Sequence, residues 1–504
     1  MALPHRAAVP LLSALALAGL LACGGGGGSK ASAPAAQAGP TLTTPPAPQA
    51  GYVGDLVTFR VAASGSGNTY QWLRNGAALA GATADTYAHT VAAADDQARF
   101  SVKVTGANGG STTSGEAVLE VLWADPAVLA GHDHALAITT KGRVYAWGVG
   151  GNGQLGQGDW QARMVPTLVP LPAPAVQAAA GWGHSMALLN DGRVFTWGAN
   201  TKGQLGDGTT NPRNAPAGVP GLTNVAYILA GYDHNLAVKR DGSVFVWGYN
   251  SHGQLGLGDK VDRLSPTLSP VDGNALSDVA LGALHSLAIA GGALYGCGDN
   301  GYGQLGLPYS PTAEHLTWSN LGVSARSVRT FSLFSTIIGP DGNPYGTGEN
   351  VYGPLGDGTA TTRYGWVPMS RTALSGTLLG VVPGQSLTLL LGDGGTASMG
   401  DNGYGQLGLG AATTTAYTTS QAIAGLTALQ ASGSYASSYA VLPDLTVKAW
   451  GYNNNGRLGD GTATDRPSPT VVPGLVLGPK PTGVTPPAPR LVGPAKAPGA
   501  WASR

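Results

Sequence analysis

The sequence predicts an all-β repeat protein, and three observations carry that prediction. The first is a column of Trp-Gly pairs at Trp147, Trp197, Trp247 and Trp450. Followed through weaker copies, the column reads Cys297, Thr347 and Met399 in between, with steps of 50, 50, 50, 50, 52 and 51 residues. The second is a glycine-bounded loop after each column position. Gly153–Gly156, Gly203–Gly206, Gly253–Gly256, Gly303–Gly306 and Gly405–Gly408 read GQLG, while Gly353–Gly356 is GPLG and Gly456–Gly459 is GRLG. The third is strand texture: Met186 and Leu188 alternate with Ala187 and Leu189, apolar or small on both parities. A strand apolar on both faces is covered on both faces. Four-stranded sheets repeated around an axis supply that environment, so seven units predict a seven-bladed β-propeller.

The second unit is the clearest. Val176–Ala180 is a short inner strand whose alanines suit the narrow end of a wedge. His184–Leu189 is the next strand, Asn190-Asp191-Gly192 a tight turn, and Arg193–Trp197 the third strand. The GQLGDG loop then leads to a proline-containing last segment, Ala217–Leu222. The chain enters the first unit at Pro126–Gly131 and leaves after Pro469–Leu475, complementary parts of one unit. The two ends are therefore expected to meet in one blade or blade junction, leaving no open edge.

The G-x-x-H-S-x-A-L, D-G-x-V-x-x-W-G and N-x-x-G-Q-L-G motifs, in fixed order over Ala124–Leu477, resemble the regulator of chromosome condensation repeat family. That resemblance implies a seven-bladed propeller. The later units depart from it: the histidine column His134, His184, His234, His285 continues as Phe334, Ser386 and Ser437. Those blades are expected to be the less regular half.

Outside the repeats the texture changes. Residues 1–22 carry a short apolar run ending in Leu20-Leu21-Ala22 before Cys23, which resembles a bacterial lipoprotein signal, with Cys23 as the lipidation site. Residues 23–45 read as a flexible Gly/Ser/Ala/Pro linker. Residues 46–122 resemble an immunoglobulin-like sandwich, with Trp72 as the buried tryptophan, Val61 and Val102 where cysteines would stand, and Phe100 for the corner tyrosine. Residues 478–504 form a Pro/Ala-rich tail expected to be disordered. The lipobox resemblance implies an exported lipoprotein of the cell envelope, sorted to the outer membrane in a Gram-negative host. Cys297 is expected to be a buried free thiol, with no disulfide to form.

The chain is 504 residues long with a formal net charge of zero and 11% charged residues, and no Lys/Arg cluster forms the basic patch that nucleic acid requires. The repeated histidines are expected to bond backbone near their own turns, since equivalent positions sit on separate blades. No metal-ligand spacing, phosphate loop or nucleophile elbow occurs. The Asp-Gly pairs at Asp207, Asp357 and Asp460 are read as turn chemistry. No catalytic residue, metal or cofactor is therefore assigned. The residues inside the G-x-x-H turns vary while their flanks repeat. They give a candidate binding face of His132, Asp133, Trp182, Tyr232, Asp233, Leu284, Leu333 and Tyr435, with Trp182 and Tyr232 as anchors and Asp133 and Asp233 as polar partners.

The resulting expectation is a monomeric, non-enzymatic, membrane-anchored binding or scaffold protein whose propeller face recognises a protein or envelope component. The alternatives are a propeller lyase or hydrolase with a central-channel site, and a secreted enzyme inhibitor. Guanine nucleotide exchange, the activity of the family's namesake, needs a cytosolic GTPase and conflicts with the export signal.

Overall fold

The computed structural model describes residues 37–310 and 314–478. The signal segment, Cys23 and nearly all of the C-terminal tail lie outside the described residues.

Seven four-stranded antiparallel sheets follow one another from Ala127 to Val476, each made of four consecutive strands. In the second blade these are Ala175–Ala180, His184–Leu189, Val194–Gly198 and Arg213–Gly218. The first three match the expected segments. The fourth lies earlier than the expected Ala217–Leu222. Its residues are only half-buried, so they carry little periodic signal, whereas Val219 and Leu222 beyond the strand are buried. Pro216 is tolerated because this is the blade's outer edge.

Blades four to seven keep the four-strand pattern of the first three. Where the tryptophan column lapses at Cys297 and Thr347, a ring from the outer strand takes its place, whereas in the sixth blade Met399 itself lies over Gly356. In regular blades the column tryptophan lies over the last glycine of the preceding loop: a Cβ on Gly156 would sit 3.0 Å from Trp197 Cδ1, and one on Gly206 3.1 Å from Trp247 Cδ1. At Gly256 and Gly306 the neighbouring rings are Trp318 and Trp366, which stand on the outer strands Glu314–Ser324 and Arg363–Pro368. Cys297 takes over the vacated hydrogen bond, from Sγ to Gln254 O at 3.4 Å, while Thr347 Oγ1 donates one residue earlier in the loop, to Gly303 O at 2.8 Å. Cys297 is buried and unpaired.

The last blade meets the first at a junction between two separate sheets. The Gln430 side chain clasps the first inner strand, accepting from Val128 N at 3.1 Å and donating to Val128 O at 2.9 Å. Gln177 clasps Ile228 in the same way between the second and third blades, at 2.9 and 2.8 Å. Trp147 Nε1 donates to Arg457 O of the last blade at 2.9 Å, and Thr140 N to Leu477 O at 2.7 Å. Val128, Trp147, Tyr439, Val472 and Leu477 share one core. The junction is thus built as an internal one is.

Ahead of the propeller, Gln49–Tyr52, Ala117–Leu122, Ala98–Thr105, Thr69–Arg74 and Ala77–Ala78 form a sheet, with Ser111–Thr113 added on Ala98–Thr105. The pair Leu56–Arg60 and Thr86–Thr90 packs on it through Phe59, which stacks on Phe100 at 4.5 Å, and Trp72. Trp72, Phe100, Val61 and Val102 are all in this core, and Trp72 Nε1 donates to Ala84 O. Lys141 ties the unit to the first blade through Asp96 at 3.1 Å.

Candidate binding face

The G-x-x-H turns join the inner strand to the second, and the GQLG loops join the third to the outer strand. Both lie on one face of the ring, because the second strand begins where the third ends: His134 pairs with Gly148, and Val149 N donates to Asp133 O. The Asp-Gly turns between second and third strands occupy the opposite face. On the loop side, Asn200 organises its own loop by accepting from Leu205 N and donating to the Thr209 and Asn211 carbonyls. Asp207 accepts from Thr209 and pairs with Arg213. Asp357–Arg363 and Asp460–Arg466 repeat the arrangement.

The histidine column does something the sequence did not indicate. Each ring reaches the next blade's side chain, not the backbone of its own turn. His134 Nε2 lies 2.8 Å from Ser185 Oγ, His184 Nε2 2.7 Å from Asn235 Oδ1, His234 Nε2 2.9 Å from Ser286 Oγ and His285 Nε2 2.8 Å from Ser335 Oγ. Ser185 in turn donates to Gln154 O of the first blade's loop, which also accepts from Trp197 Nε1. Burial lowers the pKa of all four, to about 3 for His134, His234 and His285. In the sixth blade the register places Leu387 in this column rather than Ser386, since Leu387 pairs with Gly400 as His134 pairs with Gly148. The turn residues there are accordingly Gln385 and Ser386.

The turn residues converge on the axis instead of standing as a wide ring. Their backbones are linked in series, with Trp182 N donating to Tyr232 O, Tyr232 N to Gly282 O, Ala283 N to Ser332 O and Gln385 N to Ser434 O. Over the axis their rings form an aromatic plug. His132 lies 5.5 Å from Trp182, 6.1 Å from Tyr232 and 4.9 Å from Tyr435, and Tyr232 meets Phe331 edge-on at 5.8 Å. Beneath the plug is a channel cavity of about 170 Å³ lined mainly by Ala, Gly, Leu and Val of the inner strands.

Within the plug, the eight candidate residues differ in access. Trp182 and Tyr435 reach solvent, at 40% and 37% exposure. Tyr232 is half-buried beneath them, its hydroxyl donating to Gln385 Oε1 across the ring, and burial pushes its pKa up to about 12. It braces the plug rather than standing free as an anchor. Asp133 is paired with His132 and with Arg457, both at 2.9 Å. Burial opposes its ionisation, but the hydrogen bond and charge of His132 and the charge of Arg457 hold its carboxyl below the usual range. Asp233 accepts from Gln204 Nε2, and burial raises its pKa against the pull of His184. Leu284 and Leu333 are half-buried. Phe331, Gln385 and Arg457 belong to the plug but were not among the candidates: Phe331 and Arg457 stand where the repeat has Gly and Gln, and Gln385 is one of the varying turn residues. Among the described residues, no three His, Cys, Asp or Glu side chains gather as a metal site.

A ring of seven four-stranded blades carrying a capped axial channel defines a β-propeller repeat protein. Residues 141–188, 191–238 and 241–289 match the model of the regulator of chromosome condensation (RCC1) repeat, and 175–204 and 225–254 match a second model of that repeat. Each longer match spans two blades, from the turn between the second and third strands of one to the second strand of the next. The fold is similar to the structure of Kap60 bound to yeast RCC1 (Prp20), with a TM-score of 0.61, 18% identity and coverage of 70% of this chain and 85% of that one. It is also similar to Prp20p from Saccharomyces cerevisiae, described with its binding properties to Gsp1p and histones, at TM-score 0.60 and 19% identity over 70% and 87% of the two chains. A stretch of 73 residues is 40% identical to the probable E3 ubiquitin-protein ligase HERC6 of Homo sapiens, covering 14% of this chain and 7% of that protein. Residues 141–289 thus carry RCC1-type repeats, and the fold of the propeller is similar to that of yeast RCC1.

Proposed function

We propose that the protein is a non-enzymatic binding or scaffold protein that recognises a macromolecular partner, a protein or an envelope component, through the plugged face. The observation that carries this reading is the pair Trp182 and Tyr435, exposed on a plug whose other members are fixed by hydrogen bonds and ring contacts. Large rings held in place before binding lose little conformational freedom on contact. The channel beneath is mainly apolar, and its charged lining residue Arg329 is already paired with Asp278 at 2.6 Å, which supports binding over a central-channel lyase or hydrolase. Export, lipid anchorage through Cys23, and an immunoglobulin-like role for residues 46–122 as a spacer belong to the same proposal. The association of Prp20p with other proteins is consistent with it.

The test is photo-cross-linking on intact cells of the source organism. A photoreactive residue at position 182 is compared with one at position 191 on the opposite face. Adducts confined to position 182 support the reading. Equal adducts, or adducts only at 191, overturn it.

A further inference from the structure

Two positions in the loop after the third strand distinguish blades four to six from the rest. The first follows the strand's closing glycine, and the second precedes the glycine that opens GQLG. In blades four, five and six they read Asp299 and Tyr302, Glu349 and Tyr352, Asp401 and Tyr404. In the other blades they read Val149 and Asn152, Ala199 and Lys202, Tyr249 and His252, Tyr452 and Asn455. The same loop forms around all seven pairs, so the acid–tyrosine combination is not required to build it.

Each acid stands beside the plug, its backbone N–H bonded to the neighbouring turn: Asp299 to Leu284 O, Glu349 to Leu333 O and Asp401 to Ser386 O. Each tyrosine is exposed further out, at 45%, 50% and 40% for Tyr302, Tyr352 and Tyr404. Two of the acids are oriented in advance. Asp299 accepts from Gly301 N and Gln304 Nε2, and Asp401 from Gly403 N and Gln406 Nε2. Glu349 has proline at the matching position, Pro354, and burial raises its pKa. Among the described residues, none of the three acids forms an ion pair with Lys or Arg, although paired acids are common elsewhere in these loops. The chain as a whole is neutral, yet this sector presents three acids without counter-cations, alternating with three phenol faces.

We propose that this sector of the plugged face docks an extended, Lys/Arg-bearing segment of a protein partner. Carboxylates accept charge-assisted hydrogen bonds from ammonium and guanidinium groups, and tyrosine faces attract the same cations. Three repeats of one pair along the ring match a segment presenting several cations in succession. The proposal rests on the plugged face being the recognition face, and it names the chemistry of the partner there.

The test uses the full chain and a fluorescein-labelled decapeptide of alternating Gly with Lys and Arg, followed by fluorescence anisotropy. Two triple variants are compared with the parent: D299N/E349Q/D401N and Y302A/Y352A/Y404A. A third, D191N/D241N/D444N, removes the same number of charges from the opposite face. Circular dichroism and melting temperature check that each folds. The expected result is a loss of affinity of about tenfold or more in both sector variants, with little change in the third. Equal weakening by all charge-removing variants, or no effect of the tyrosine variant, overturns the proposal in favour of unspecific attraction. Absence of peptide binding, with binding of chitohexaose that the tyrosine variant abolishes, overturns it in favour of a glycan site. Cross-linking from position 182 uses none of these six side chains. If it persists while the peptide fails to bind, only this proposal falls.

Discussion

Trp197 and Gln154 meet across the boundary between the first two blades, where the indole N–H donates to the Gln154 carbonyl at 2.8 Å. The carbonyl also accepts from Ser185 Oγ, and Ser185 is held by His134 of the first blade. One backbone oxygen thus gathers a loop, a tryptophan, a serine and a histidine from two blades. Trp247 and Asn235 repeat this on Gln204 O.

Replacing Trp197 should separate its two roles. Trp197→Ala is expected to cost about 3–5 kcal/mol, the usual cost of emptying a large buried site. Trp197→Phe keeps most of the volume and removes the donor, for about 1–2 kcal/mol. Denaturant midpoints read both. An alanine cost below about 1 kcal/mol would contradict the full burial of this ring.

The relocated tryptophan predicts a coupling. Trp318 and Cys297 Sγ both abut the site above Gly256. Trp318→Ala should destabilise by leaving a void, and Cys297→Trp by overfilling. Together they should cost less than the sum, because the ring returns to the column. A double-mutant cycle measures this, and strict additivity would refute the exchange.

Acid should weaken the propeller through its buried histidines. The buried histidines have folded pKa values below the unfolded value of about 6.5. As pH falls below that value, the unfolded chain takes up protons that the folded chain refuses. Stability is therefore full above pH 6.5 and declines towards pH 4, by about 1.4 kcal/mol per pH unit for each of His134, His234 and His285. The H234N variant should flatten the slope of melting temperature against pH. An unchanged slope would argue against this origin.

The ring-closing clasp should be worth what an internal one is worth. Gln430→Leu leaves Val128 N and O without that partner, and Gln177→Leu does the same to Ile228. Each is expected to cost about 1–3 kcal/mol. Thermal melts of the two should agree. A much milder effect at Gln430 would mean that the closing junction bears less than the others.

Cys23 is expected to carry the lipid. Cys23→Ser should abolish incorporation of labelled palmitate and release the protein from the membrane fraction. Undiminished labelling would refute the assignment.

The sequence by itself determined the count of blades, the first three strands of the second blade and where the chain ends meet. Those depend on local turn chemistry and on residues apolar on both faces, which recur every fifty or so positions. It also picked out Trp182 and Tyr435 as turn residues that vary against a constant frame. What only the tertiary structure decided concerns contacts between units. The histidines bond the next blade, two of the three missing column rings are replaced from outer strands, and Tyr232 braces a plug with Phe331 and Gln385 instead of standing free. The periodic pattern reports whether a side chain is buried, but not which neighbouring unit buries it. In a closed ring that partner is a different repeat, or lies across the axis, as Gln385 does from Tyr232. Only the curvature of the assembled blades brings such positions within hydrogen-bond reach.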